Sequence, residues 1–408
     1  MQLATELDLP NLPLEDPEFA ADPFSPFADV RRRHPWLATC SHGFVITEYA
    51  AVKELLSMDD RLRFAQDGAI DFHKARGSKW GRFQEEGLLA LNGERHQRVR
   101  NVLAPAFTPR AANQHRILMR AVISRLLDEW APRGTFDFEE FASLFPITVM
   151  CSLIGADPAA VPKIRSSLET LGLAYNLIPG YLPRLEDAME VMESYLAGLL
   201  SDRRAGRRLV SEPDLLDALL AAQTAGGLTE AELNAILIFL FVAGYDTSKN
   251  LLTLIMETLS SRPEMYERCA TDREYCARVV EESLRFKSPA TVFRLTNDEL
   301  TYRGVTFPKD TMLLFAANMV GRDPAAVEDP DAFDPDRRHV NRHMGFGRGM
   351  HLCLGQFIAR AQTEEGLHLI AQRLREPHIV GPYGYRPFTG VWGLKGLPIA
   401  YQQAPPTG

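Results

Sequence analysis

The first residue with chemical content is a cysteine set among glycines. In Phe346-Gly347-Arg348-Gly349-Met350-His351-Leu352-Cys353-Leu354-Gly355 two glycines stand in a turn, and the cysteine directly precedes an amphipathic helical stretch. A thiolate there accepts backbone N–H groups and sits at the positive end of a helix dipole. A lone cysteine is ordinarily an inert core residue. Gly347, Gly349 and Gly355 so close by favour instead a backbone that passes against something flat and bulky, without Cβ atoms in the way. A second feature is Ala243-Gly244-Tyr245-Asp246-Thr247, which follows a segment, 236–242, that is apolar all round. Such a helix is buried on every side, so a carboxylate and a hydroxyl next to it form a local conflict of the kind that marks function. A third is Glu282-Ser-Leu-Arg285, an acid and a base on one helix face, a spacing that carries nothing by itself.

The elements that must position these residues are mostly helical. Apolar spacing near 3.6 predicts helices over 111–130, 184–204, 213–223, 230–261, 272–286 and 354–375. Strand patterns fall at 43–47, 300–305, 311–316 and in parts of the last thirty residues. Thr229 and Glu232 form a T-x-x-E capping box at the start of the longest helix, which at 1.5 Å per residue is about 45 Å long and forms a central beam. With no linker or repeat, the pattern reads as one domain over 1–408, helix-rich at about 90–290 and 350–376, with strands in about 40–65, 290–320 and 377–402.

Composition sets the boundaries. The chain has 408 residues, 46% apolar and 24% charged, enough for a folded globule with a sizeable core. Its net charge of -8 disfavours nucleic acid as a partner. Cys40, Cys151, Cys269, Cys276 and Cys353 contain no CxxC pair, which fits neither a disulfide framework nor a zinc cluster and points to a reducing cytoplasm. The acidic, proline-containing N-terminus lacks signal-peptide character, and the longest apolar run, 235–244, is short of a bilayer span, so no membrane anchor is expected.

The run Phe-Gly-x-Gly-x-His-x-Cys-x-Gly-x-x-x-Ala-Arg, residues 346–360, resembles the heme-binding signature of the cytochrome P450 monooxygenases, with Ile358 where leucine is more usual. The resemblance, carried over about 90–360, implies a mainly α fold with small β-sheets and a long central helix over the heme. It implies heme b (iron protoporphyrin IX) with Cys353 as axial thiolate, Phe346 beside the sulfur, and Gly347, Gly349, His351 and Gly355 shaping the loop. Four further residues fall at family offsets for the heme propionates: His96, Arg100, Arg294 and His343. In the central helix Gly244 would admit O2, Thr247 would hydrogen-bond it and Asp246 would help relay protons. Tyr245 is a less usual occupant of its place. Glu282 and Arg285 would tie structurally to an arginine ahead of the heme loop, either Arg337 or Arg338.

The same analogy places the substrate pocket along the 65–90 loop, 171–183, Phe239, Leu240, Ala243, Ala290, Thr291, Val292, Val391 and Trp392, nearly all apolar, so a hydrophobic small molecule is expected. His73, Lys74, Arg76, Lys79, Trp80 and Arg82 make the 67–86 loop basic. It reads first as a solvated loop, and second as an attractor for a carboxylate substrate. No flavin or iron–sulfur motif is present, so NAD(P)H-derived electrons must come through redox partners. Arg348, Arg360, Arg95 and Arg98 suggest a basic patch for an acidic ferredoxin on a protein expected to be monomeric. The expected reaction is hydroxylation or oxidative dealkylation. The competing class is a heme-binding sensor or carrier without oxygenase activity, which Asp246 and Thr247 argue against.

Overall fold

The structure, a computed structural model, describes residues 2–209, 212–338 and 343–403. The capping box forms as the sequence predicts: Thr229 Oγ1 accepts from the Glu232 N–H at 3.1 Å while Glu232 Oε2 accepts from the Thr229 N–H at 3.0 Å. The helix it opens, Glu230–Leu259, is buried along most of its length and crosses the centre of the fold. By length and composition alone it would cross a bilayer, but 72% of its most apolar window is buried inside the protein. Its largest partner is Phe138–Ile154, with Val161–Gly172, Leu182–Arg204, Arg273–Phe286 and Gln356–Arg373 also packed on it.

Between Phe239 and Thr247 the central helix shows a stripe of incompletely buried residues: Phe239, Val242, Ala243, Gly244 and Thr247. Spaced three and four apart, they occupy one face, and that face borders the cavity described below.

The mixed five-stranded sheet has the order Leu37–Cys40, Gly43–Ile46, Met312–Phe315, Val292–Thr296, Leu62–Phe64. All neighbours are antiparallel except Gly43–Ile46 and Met312–Phe315, which run parallel. Register pairs Phe64 with Arg294, and the Arg294 guanidinium lies over the Phe64 ring at 4.5 Å. An isolated bridge between Ala290 and Val391 brings the C-terminal segment to the same place. One hydrophobic core runs through the helices and a second lies around this sheet, from Trp36 to Phe315.

The predicted helix over 111–130 is two, Pro109–Gln114 and Arg116–Trp130, separated at His115. Phe138–Ile154 is not predicted by periodicity because it is buried nearly all round and carries Pro146, so no apolar stripe stands out. Leu300–Tyr302 and Val305–Phe307 form a hairpin where one strand is predicted.

Glu282 and Arg285 are fully buried on Arg273–Phe286. Arg285 Nε and Nη2 donate to the two Glu282 oxygens at 2.8 and 2.6 Å, and its remaining N–H groups reach the carbonyls of Gly321, Pro330 and Ala332. Glu282 also accepts from the Asp334 N–H at 2.8 Å. Of the two candidate arginines, Arg337 comes to 3.5 Å from Glu282, while Arg338 is exposed. The cluster staples the segment leading into the cysteine loop onto this helix.

Candidate active site

Cys353 lies between the short turn Gly349–His351 and the helix Gln356–Arg373. Its N–H donates to Phe346 O at 2.9 Å, closing the loop on itself. Gly347 and Gly349 take positive φ of 68° and 76°, which residues with a Cβ resist. A Cβ on Gly349 would also overlap Leu56 O. Burial pushes the Cys353 thiol up, opposed by the Gly355 N–H and by the charges of Arg100 and Arg360. The sulfur therefore rests protonated until a cation claims it, and a bound metal ion deprotonates a thiol outright.

Cys353, Phe346, Gly347, Gly355 and His351 line a cavity that is also lined by Phe239, Leu240, Ala243, Gly244 and Thr247 of the central helix. Arg100 and Arg294 border it, as do Ala290 and Val292. An adjoining chamber shares Phe64, Phe239, Ala243, Thr247 and Ala290 and adds Asp246, Thr291 and Val391. The structure thus brings most of the sequence-predicted site residues to one continuous space.

This wall is electrostatically incomplete. Both ring nitrogens of His351 and Nε2 of His96 are buried without a partner, and the two rings pack edge to face at 4.8 Å. Among the described residues Arg294 donates only to its neighbour's carbonyl, Phe293 O, and Arg100 only to Leu352 O. The nearest acid, Asp59, is taken by the Met350 N–H. Burial, then the charges of Arg294, His96 and Arg100, push His351 down to about 3, and burial lowers Arg294 to about 10. Buried cations normally have counter-ions. A flat, dianionic macrocycle beside a metal that takes the Cys353 sulfur supplies what is missing, so the residues fit heme.

His343 departs from expectation. Its Nε2 pairs with Glu281 at 3.2 Å and its Nδ1 accepts from the Gly345 N–H, so it faces away from the cavity. Glu281, also bonded to Arg360, falls to about 2 as these hydrogen bonds outweigh its burial. Trp392 is in the core, its indole N–H donating to Ala20 O at 2.9 Å and its ring stacked on Tyr385. The basic patch is largely neutralised as well. Arg95 and Arg98 bind Glu232, and Arg360 binds Glu281. Arg348 alone of the four has no acid among the described residues, with its Nε on Ser57 Oγ at 2.6 Å. In the 67–86 loop Arg76 pairs with Asp71, Lys79 with Glu190, and His73 with Ala174 O.

Asp246 is buried and clamped by both terminal nitrogens of Arg386, with Asn250 donating to its Oδ1 at 3.2 Å. Gly172 leaves it room, since a Cβ there would strike the carboxylate. Thr247 Oγ1 donates to Ala243 O at 2.8 Å within its own helix. Tyr245 points to the opposite side, where its hydroxyl donates to Glu169 at 2.6 Å and braces the helix from behind. Gly244 accommodates Met150, whose methyl group a Cβ would overlap. Arg386, Met150, Gln66 and Tyr175 carry no sequence motif, and only the fold brings them here.

A cysteine under a central helix, facing a cavity rimmed by unpaired cations, defines a heme-thiolate class of protein. The sequence profile described as Cytochrome P450 matches residues 37–376, and the chain belongs to the cytochrome P450 family. It is 30% identical to luteothin monooxygenase of Streptomyces thioluteus over 97% of each chain. It is likewise 30% identical to pentalenic acid synthase of Streptomyces avermitilis over 88% of each. Among solved structures it resembles ligand-free CYP164A2 of Mycobacterium smegmatis, with a TM-score of 0.81 at 26% identity, covering 95% of this chain and 98% of that one. Epothilone B-bound P450epoK superposes with a TM-score of 0.86 at 23% identity, covering 96% and 100%. The protein is an oxidoreductase of the P450 type, and the family implies heme iron and O2.

Proposed function

We propose that the chain is a soluble, cytoplasmic monooxygenase, a single catalytic unit that inserts one atom of O2 into a hydrophobic small molecule by hydroxylation or oxidative dealkylation. The observation that carries the reading is that Cys353 and Thr247 line one cavity together with Arg100 and Arg294, which pair with no acid among the described residues. The naming of a 30%-identical relative as a monooxygenase supports it.

When bound, heme b supplies O2 binding and its reductive activation. Cys353 would hold it through the sulfur, whose basicity the Gly355 N–H tempers. Arg100, Arg294 and His351 would receive the propionates, and His96 would support His351 from behind. Thr247 Oγ1 would offer its proton to the cavity by releasing Ala243 O. Asp246 lines the adjoining chamber, held by Arg386, and would pass protons on by taking one up at a carboxylate oxygen and releasing it toward Thr247. The apolar lining excludes water and holds the substrate by burial.

Electrons would come from NAD(P)H through a separate ferredoxin and its reductase, with Arg348 the remaining unneutralised member of the expected docking patch. Slower reduction by ferredoxin in Arg348→Glu is the expected result, and an unchanged rate would remove that role. The test of the whole reading is the absorbance spectrum of the purified protein, reduced and exposed to carbon monoxide. A strongly red-shifted Soret band is expected. Protein that stays heme-free with heme supplied during expression would overturn it.

A further inference from the structure

The chamber that Cys353 does not line has a polar end. Gln66 at the start of Gln66–Phe72, Gln84 on Lys79–Glu86 and Tyr175 in the turn Ala174–Asn176 meet there on its wall. The Tyr175 hydroxyl donates to Gln84 Oε1. Burial pushes the phenol up, and a hydrogen bond from Gln66 opposes that shift. Gln66 and Tyr175 thus lie side by side on this wall. Gln66 is 4% exposed, and its Oε1 has no partner.

A buried acceptor without a donor is rare in folded proteins and calls for an explanation. It is not a site for an anion, because an amide oxygen repels a carboxylate. Among the described residues no lysine or arginine lines this chamber, and Arg386, which holds the Asp246 on its wall, is itself paired there. Between this end and the cysteine chamber the wall is apolar, formed by Phe64, Phe83, Leu89, Phe239 and Val242.

We propose that the substrate is an apolar molecule bearing a neutral hydrogen-bond donor, a hydroxyl or an amide N–H, at one end. Gln66 receives that donor, Tyr175 and Gln84 hold Gln66 in place, and the far end of the molecule extends toward the cysteine chamber. The position oxidised is then remote from the group already polar. This rests on the monooxygenase reading above.

The test uses heme-loaded enzyme whose reduced carbon monoxide band has first been recorded, so that a missing thiolate band is scored against the monooxygenase reading and not against this one. Spin-state titrations then compare three compounds on each of two skeletons: dodecan-1-ol, dodecane and dodecanoic acid, and 2-decalol, decalin and decalin-2-carboxylic acid. On at least one skeleton the alcohol is expected to bind at least about tenfold tighter than its hydrocarbon and its acid, the worth of one buried neutral hydrogen bond. In Gln66→Leu that preference falls below about threefold with the carbon monoxide band retained. Tyr175→Phe gives an intermediate loss and serves if Gln66→Leu fails to load heme. Acids binding as tightly as alcohols, an alcohol preference untouched by both variants, or no spectral shift with any of the six compounds would overturn the proposal.

Discussion

On the Cys353 side of the cavity Arg100 and Arg294 make no ion pair among the described residues, whereas Arg76, Lys79 and Arg386 around the distal chamber each hold a carboxylate. Arg100 and Arg294 line the space itself, whereas no lysine or arginine among the described residues lines the distal chamber, and Arg76 near it is more than half exposed, so the desolvation cost of an unpaired charge is met on the cysteine side. Where the fold leaves cations unmatched, it is built around an anionic group that arrives with the cofactor. Where it matches them, the described lining offers no free cation to receive an anion. Residue type is the same in the two places, and the partner makes the difference.

The comparison breaks most completely at the sulfur. Cys353→His is expected to retain heme on the unmatched cations, lose the red-shifted carbon monoxide band and lose turnover. Heme lost altogether would mean that the cations contribute little to holding it. Next in size is the staple under the cysteine loop. Removing one partner of a buried pair costs about 3–5 kcal/mol, so Arg285→Met should lower the urea-unfolding free energy by that amount. A change below about 1 kcal/mol would show that the Glu282 cluster is dispensable.

The cations themselves sharpen the contrast. Charge-assisted hydrogen bonds are worth about 1.5–3 kcal/mol, so Arg100→Gln and Arg294→Gln should each weaken heme retention about 10- to 100-fold, read as transfer to apomyoglobin. Arg76→Gln, on the matched side, should alter neither heme transfer nor the spectral response to apolar ligands. An equal effect from Arg76→Gln would remove the distinction.

How much of this was legible in the sequence follows the same division. The cysteine loop, the Thr229–Glu232 cap and the central helix are local in sequence, and local rules read them. The Glu282–Arg285 pair is local too, but its arginine partner was ambiguous until Arg337 was found at 3.5 Å and Arg338 outside. His343 was misplaced because a family offset says nothing about Glu281, 62 residues earlier, which holds it. The charge balance of the basic loop and of the arginine patch was only partly legible: Asp71 beside Arg76 and Glu86 beside Arg95 are near in sequence, but the acids on Lys79 and Arg98 and the second acid on Arg95 sit more than a hundred residues away. Arg386 and Gln66 left no signal, since each is an ordinary polar residue whose role comes from chain crossing.

The smallest predicted effect concerns one of those distant pairings. Glu232 is 1% exposed, and its hydrogen bonds to Arg98, the Thr229 N–H and Arg95 hold its carboxyl at about 2, below the usual 4.5, against the opposing effect of burial. Between those values the unfolded chain binds a proton that the folded chain does not, so stability rises with pH there. The contribution is complete above about pH 4.5 and is lost as pH falls toward 2. Because Arg95 and Arg98 are 46% and 40% exposed, solvent screening limits it to about 1–2 kcal/mol. Glu232→Gln should therefore unfold more easily than the parent at pH 6, by a margin that shrinks to about a quarter at pH 2.5. Unfolding curves that differ equally at both pH values would assign the loss to the cap geometry of the central helix and not to the ionised carboxylate.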